Sequence, residues 1–153
     1  MNVKTCCVTG HREIPEDKRA YVNEEVKRAV EAAVADGYAR FISGFAAGVD
    51  LAFAAIVAEL KERGRAVKLE AAIPYAGRLK SKAPDFQKLL AACDTVTVLR
   101  DAYSPGCYFA RNRYMVDESG LVIAVHDGRE KGGTFYTIQY ARAHDKEVRI
   151  IKI

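Results

Sequence analysis

Three times along this chain a short apolar stretch runs into a glycine-containing turn, and a helix-forming segment follows. Phe41-Ile42-Ser43-Gly44-Phe45-Ala46-Ala47-Gly48-Val49-Asp50 is the longest case. Val122-Ile123-Ala124-Val125-His126-Asp127-Gly128, followed by Gly132-Gly133-Thr134, is the second, and Thr9-Gly10-His11-Arg12 is the shortest. A strand that hands over directly to a helix belongs to a β-α unit, and repeated units of that kind build a parallel sheet covered on both faces. Glycine also lets the backbone approach a ligand, and the free N–H groups of a helix start attract anions. The expectation is a pocket for a phosphate-bearing metabolite, most simply a nucleotide.

The remaining chain fits that frame. Residues 3–9, 39–43, 67–73, 95–99, 121–125 and 148–153 read as strands, being short, apolar and bounded by turn residues. Helices are expected from Pro15 up to the stop at Gly37, and over 47–63, 84–92, 107–118 and 134–144. In the first, Val22, Val26, Ala29, Val30 and Ala33 recur at helical spacing. Residues 75–83 have no apolar period, carry Arg78, Lys80 and Lys82, and read as a mobile loop. The fold class is therefore α/β: one domain over 1–153, a Rossmann-like, doubly wound, mainly parallel sheet with helices on both faces. Every motif singled out follows the carboxyl end of a strand, where open α/β sheets bind ligands.

Composition narrows the function classes. Half of the residues are apolar and 29% are charged, as in an ordinary globular protein, and the net charge is +4. So mild a charge suits an anionic small ligand and is too weak by itself to argue for nucleic acid, which is not the expected partner. No stretch is long and charge-free enough to span a membrane, and the chain opens straight into a strand. The expected setting is the cytoplasm, with no membrane partner; a homo-oligomer is compatible with the sequence. Cys6, Cys7, Cys93 and Cys107 match no zinc spacing. Cys6 and Cys7 should point to opposite faces of a strand, and Cys107, at a helix start, is a candidate reactive thiol.

The candidate ligand-binding residues are Thr9, Gly10, His11, Arg12, Ser43, Gly44, Gly48, Asp50, Arg111, Asn112, Gly132, Gly133, Thr134 and Thr137. Gly48 is expected to let a ligand come close to the backbone. Asp50, in a first helical turn, either favours the helix dipole or accepts a hydrogen bond from a sugar hydroxyl or water. Gly132-Gly133-Thr134 offers backbone N–H groups and a hydroxyl for phosphate, with Thr134 also suited to cap the helix. Arg111 and Arg113 point in different directions, so at most one reaches the pocket directly. His126 and His144 lack metal-ligand partners at helical spacing and read as structural; no metal is expected.

Together these residues resemble the SLOG superfamily, which contains the DNA-processing protein DprA and the Lonely Guy cytokinin-activating enzymes, and within it most the YpsA-like bacterial proteins. Ser43-Gly44-Phe45-Ala46-Ala47-Gly48-Val49-Asp50 is similar to the Ser-Gly-x-x-x-Gly-x-Asp stretch of the DNA-processing proteins. Arg111-Asn112-Arg113 resembles their Arg-Asn-Arg helix, and Gly132-Gly133-Thr134 with Thr137 resembles the superfamily's glycine-threonine turn. The resemblance implies a Rossmann-like domain that binds a nucleotide or a nucleotide-derived ligand of the ADP-ribose, NAD or AMP type, as a sensor or regulator. Two alternatives remain open. One is a hydrolase that cleaves an N-glycosidic or phosphate bond with Asp50 and Arg111. The other is a single-strand DNA-binding module. In the Lonely Guy enzymes a glutamate serves hydrolysis where Thr137 stands here, and threonine is no base near neutral pH.

Overall fold

A computed structural model describes residues 3–153. Six strands, β1 (Lys4–Gly10), β2 (Tyr38–Ser43), β3 (Lys68–Ile73), β4 (Thr95–Val98), β5 (Leu121–His126) and β6 (Glu147–Lys152), form one sheet. Their order is β4-β3-β2-β1-β5-β6 and every neighbouring pair is parallel. Five α-helices connect them: α1 (Arg19–Ala35), α2 (Val49–Glu62), α3 (Phe86–Ala91), α4 (Cys107–Asp117) and α5 (Gly132–Ala143). This is the doubly wound α/β architecture expected from the sequence.

Alternation along the strands builds two cores. Cys6, Val8, Phe41, Leu69, Ile123 and Val125 face α1, α2 and α3, where Val22, Val26, Val30, Phe53 and Phe86 are fully buried. Cys7, Ile42, Ala72 and Val122 face the other way, against Met115 and Val116 of α4 and Ala141 of α5. Adjacent Cys6 and Cys7 thus enter opposite cores, as the two-residue strand period requires. Each fully buried phenylalanine contributes about 1.5–3 kcal/mol.

Two segments depart from the sequence reading. Residues 75–83, expected as a mobile loop, contain a short 3-10 helix, Ala76–Lys80. Leu79 packs against the core, and Gln87 Nε2 donates to the carbonyls of Leu79 and Ser81. The first helix is preceded by a 3-10 turn, Glu16–Lys18, so regular α-helix begins only at Arg19. Glu70, on β3, was not singled out by the sequence. It is 3% exposed and accepts from Arg40 at 2.6 Å, Tyr114 at 2.6 Å and Thr97 at 3.0 Å, a satisfied polar knot beneath α4.

The strand order reverses direction between β1 and β5. Gly10 pairs with Val125, so the loops leaving these two strands part side by side at their carboxyl ends. That divergence opens the crevice in which such sheets take ligands.

Candidate functional site

A cleft of about 380 Å³ occupies this switch point, a volume typical of small-molecule sites. Thr9, Gly10, His11 and Arg12 line it from the end of β1, and Asp50 from α2. Arg111 and Asn112 come from α4, and Gly132, Gly133 and Thr134 from α5. The fold thus brings ten of the fourteen sequence candidates to one wall-to-wall site. Ser43, Gly44, Gly48 and Thr137 lie outside the lining and act on the site's shape.

The β2–α2 turn is held from within. Ser43 Oγ accepts the Phe45 N–H at 3.2 Å and donates to the Asp50 carbonyl at 2.8 Å. Phe45 is left at φ +57°, a left-handed conformation uncommon for a bulky residue, with its ring fixed edge-on to Phe86. Gly48, at φ +82°, meets the protein itself rather than the cleft. A Cβ there would lie 2.4 Å from the Arg12 carbonyl oxygen and 2.6 Å from that of His11. The close approach expected of Gly48 is therefore made to the β1–α1 loop. Thr137 Oγ1 donates to the Gly133 carbonyl at 2.8 Å and stiffens the first turn of α5.

Asp50 and Arg111 form the buried charged centre. Asp50 is 8% exposed, and its Oδ2 accepts the Ala46 N–H at 3.3 Å. Burial pushes its carboxyl up to about 6, opposed by the positive charge of Arg111. A carboxyl so poised can give or take a proton near neutral pH. Arg111, 5% exposed, donates through Nη1 to the Gly44 carbonyl at 2.6 Å and the Ala72 carbonyl at 3.4 Å, and through Nε to Asn112 Oδ1 at 2.8 Å. Among the described residues its Nη2 has no partner, which leaves two donors for a ligand. Gly44 makes the arrangement fit: a Cβ there would stand 2.7 Å from Arg111 Nη1 and 2.8 Å from Asp50 Oδ2.

The opposite wall is the amino end of α5. Lys131 occupies the N-cap position and makes no side-chain cap bond, so Thr134 does not cap this helix as the sequence had suggested. The leading N–H groups of α5 have no partner within the helix, and the residues that carry them line the cleft. A Cβ on Gly133 would meet nothing within 4 Å, so packing does not explain the glycine.

Sequence reasoning missed Arg129, Lys131, Tyr108 and Phe109, which also line the cleft, as do Val8 and Ala46. Arg12 lies 5.0 Å above the Tyr108 ring and Arg111 5.7 Å from it. Aromatic rings continue along this rim. Tyr75 contacts Tyr103 and Tyr108 edge-on at 5.6 and 6.3 Å, and Phe109 contacts Tyr136 at 4.6 Å. Tyr103 and Phe109 are 62% and 44% exposed. A cluster of tyrosines around Arg111-Asn112-Arg113 was the available signal. Cys107, by contrast, is 1% exposed, so the candidate thiol is closed off from solvent.

A parallel, doubly wound sheet with a polar cleft at its switch point, walled by a glycine turn and an uncapped helix start, defines the Rossmann-like α/β class of domain. Over residues 6–153 the chain matches the YspA SLOG family, and it belongs to that family. It is 29% identical over 119 residues to the uncharacterized SPbeta prophage-derived protein YoqJ of Bacillus subtilis (strain 168), spanning 67% of this chain and 69% of that one. Among solved structures it is similar to DNA processing protein A from Helicobacter pylori, studied for its single-stranded DNA binding mode. The TM-score is 0.69 at 17% identity, covering 96% of this chain and 64% of that one. It is also similar to the molybdenum cofactor carrier protein of Chlamydomonas reinhardtii, with a TM-score of 0.61, 17% identity and coverage of 96% and 76%. Among the described residues no helix is long and apolar enough to cross a membrane.

The fold shared with a single-stranded DNA-binding protein overturns the expectation that argued against nucleic acid. That expectation rested on net charge, which averages over the whole surface. The cations are not evenly spread: Arg12, Arg111, Arg129 and Lys131 converge on one cleft.

Proposed function

We propose that the cleft binds a phosphate-bearing nucleotidyl group, with single-stranded DNA as the first reading of the ligand that carries it. The uncapped start of α5 lines the same cleft as Arg111, whose Nη2 has no partner among the described residues, and this is the observation on which the phosphate assignment rests. The aromatic row from Tyr103 through Tyr75 and Tyr108, and the Phe109–Tyr136 pair beyond it, supports the DNA reading. Rings beside guanidinium groups are the surface on which unpaired bases stack. The likeness to a single-stranded DNA-binding fold points the same way.

The second reading is a free nucleotide of the ADP-ribose, NAD or AMP type, bound as a sensed or regulatory ligand. The buried Asp50 favours it, because a carboxylate beside a phosphate site is suited to a sugar hydroxyl and ill suited to a run of phosphates.

Gly133→Val tests the shared assignment. Its side chain enters open space, so stability is expected to hold within about 1 kcal/mol, while phosphate is blocked from the helix start. Anisotropy with a labelled oligothymidylate and calorimetry with AMP and ADP-ribose separate the readings. Affinity of about micromolar or tighter for one ligand, lost at least tenfold in Gly133→Val, supports that reading. Unchanged affinity in the variant would show that the site has been misplaced.

A further inference from the structure

The loops after β1 and β5 also assemble a group that nucleotide binding leaves without a role. His126 ends β5 and is 8% exposed. Its Nε2 is the one side-chain nitrogen or oxygen among the described residues that is itself shut off from solvent and lacks a hydrogen-bond partner. Native proteins rarely leave such an atom orphaned, because desolvating it without compensation is unfavourable. His11 follows β1 on the neighbouring strand, and the two imidazoles lie 5.7 Å apart between centroids with planes 29° apart. His11 Nε2 accepts the Asp127 N–H at 3.2 Å and stands 3.5 Å from Asp127 Oδ1. One donor atom from each of His11, His126 and Asp127 lies within 4.8 Å of the others.

The geometry points to a site for one divalent transition-metal ion of the zinc class, held by His11, His126 and Asp127 with a fourth position open. Two imidazoles and one carboxylate are a borderline donor set that suits Zn²⁺ or Co²⁺, whereas Mg²⁺ and Ca²⁺ favour oxygen ligands. A tetrahedral zinc ion holds its donors about 3.3 Å apart, so separations of up to 4.8 Å must close by at most about 1.5 Å.

Arg129 is the cation that a metal replaces. It grips both Asp127 oxygens, at 3.0 and 2.8 Å through Nε, but is 52% exposed and can swing into water at little cost. His11 lines both the nucleotidyl cleft and an adjoining cavity of about 670 Å³ that also reaches Asp127. Water or a phosphate oxygen can therefore reach the open position from either side.

The test titrates metal-free protein with Co²⁺ and then Zn²⁺ in the absence of nucleotide and DNA, so its outcome is independent of the proposed ligand. One equivalent is expected to bind with a dissociation constant of about 10 µM or tighter. The Co²⁺ spectrum should show nitrogen and oxygen ligation and no thiolate charge-transfer band. His11→Gln and His126→Gln should each weaken binding by about tenfold or more. His144→Gln, the third histidine, stacks on Tyr140 far from this group in the fold and should leave binding unchanged. Thermal unfolding checks each variant; if His126→Gln does not fold, the less buried His11→Gln decides. Absence of binding at about 100 µM, a thiolate band, or undiminished affinity in folded His11→Gln or His126→Gln overturns the assignment.

Discussion

Asp50 is the side chain whose state the surroundings change most usefully. Its folded pKa of about 6 lies above the ordinary carboxyl value of 3.8, so the folded state holds this proton more tightly than the unfolded chain does. The contribution is complete below about pH 4 and is lost as pH rises through 6, amounting to about 2–3 kcal/mol. Asp50→Asn cannot ionise and should flatten that part of the stability profile, as urea unfolding between about pH 4 and pH 7 will reveal. An anion bound beside Asp50 raises its pKa further, so ligand affinity in the wild type should weaken as pH rises through 6. Asp50→Asn should lose this dependence. A wild-type stability profile that is flat across the range would mean that Asp50 stays ionised and that water reaches it.

The turn between β2 and α2 shows how an element can be legible while its purpose is not. The spacing Ser43-Gly44-x-x-x-Gly48-x-Asp50 located the turn and the helix start correctly. It could not say that Gly48 faces the carbonyls of His11 and Arg12, because that contact joins residues far apart in the chain. Gly48→Ala is expected to destabilise the fold by at least about 1–3 kcal/mol from its backbone conformation alone, with the clash added. Denaturant unfolding measures this. Retained stability in the variant would mean that the two loops separate easily. Arg111-Asn112-Arg113 presents the same contrast on α4. The segment was recognisable as a helix carrying cations, and only one of the two arginines was expected inside. The fold buries Arg111 against Gly44 and Ala72, while Arg113 reaches outward to Tyr136.

Over the whole molecule, the arrangement of charge matters more than its sum. A net charge of +4 would give a weak and diffuse field, but the switch point gathers Arg12, Arg111, Arg129 and Lys131 at one end of the sheet. If single-stranded DNA occupies the cleft and engages three to five phosphates, the logarithm of its affinity should fall against the logarithm of salt with a slope of about −2 to −3.5. Replacing Lys131 and Arg129 together with alanine should reduce that slope by roughly one to one and a half. A slope near zero would point to a ligand held by its base or sugar. The tyrosines of this rim were plain in the sequence as residues, but their edge-on row depends on the segment after β3, the β4–α4 loop and α4 meeting in space.

The sequence by itself determined the alternation of strands and helices, the two-faced core and the positions of the glycine turns. Each is a local property, set by side-chain period and by the conformations glycine permits. It also supplied ten of the residues that line the cleft, because ligand-binding turns in such sheets follow strand carboxyl ends. Only the tertiary structure decided which neighbours those residues have. The pairing of Gly10 with Val125 sets His11 beside His126, residues with no helical spacing to betray them. Burial raises the Asp50 pKa and makes Arg111 an internal cation, since desolvation depends on what the whole chain packs around a charge and not on the residues next to it in sequence.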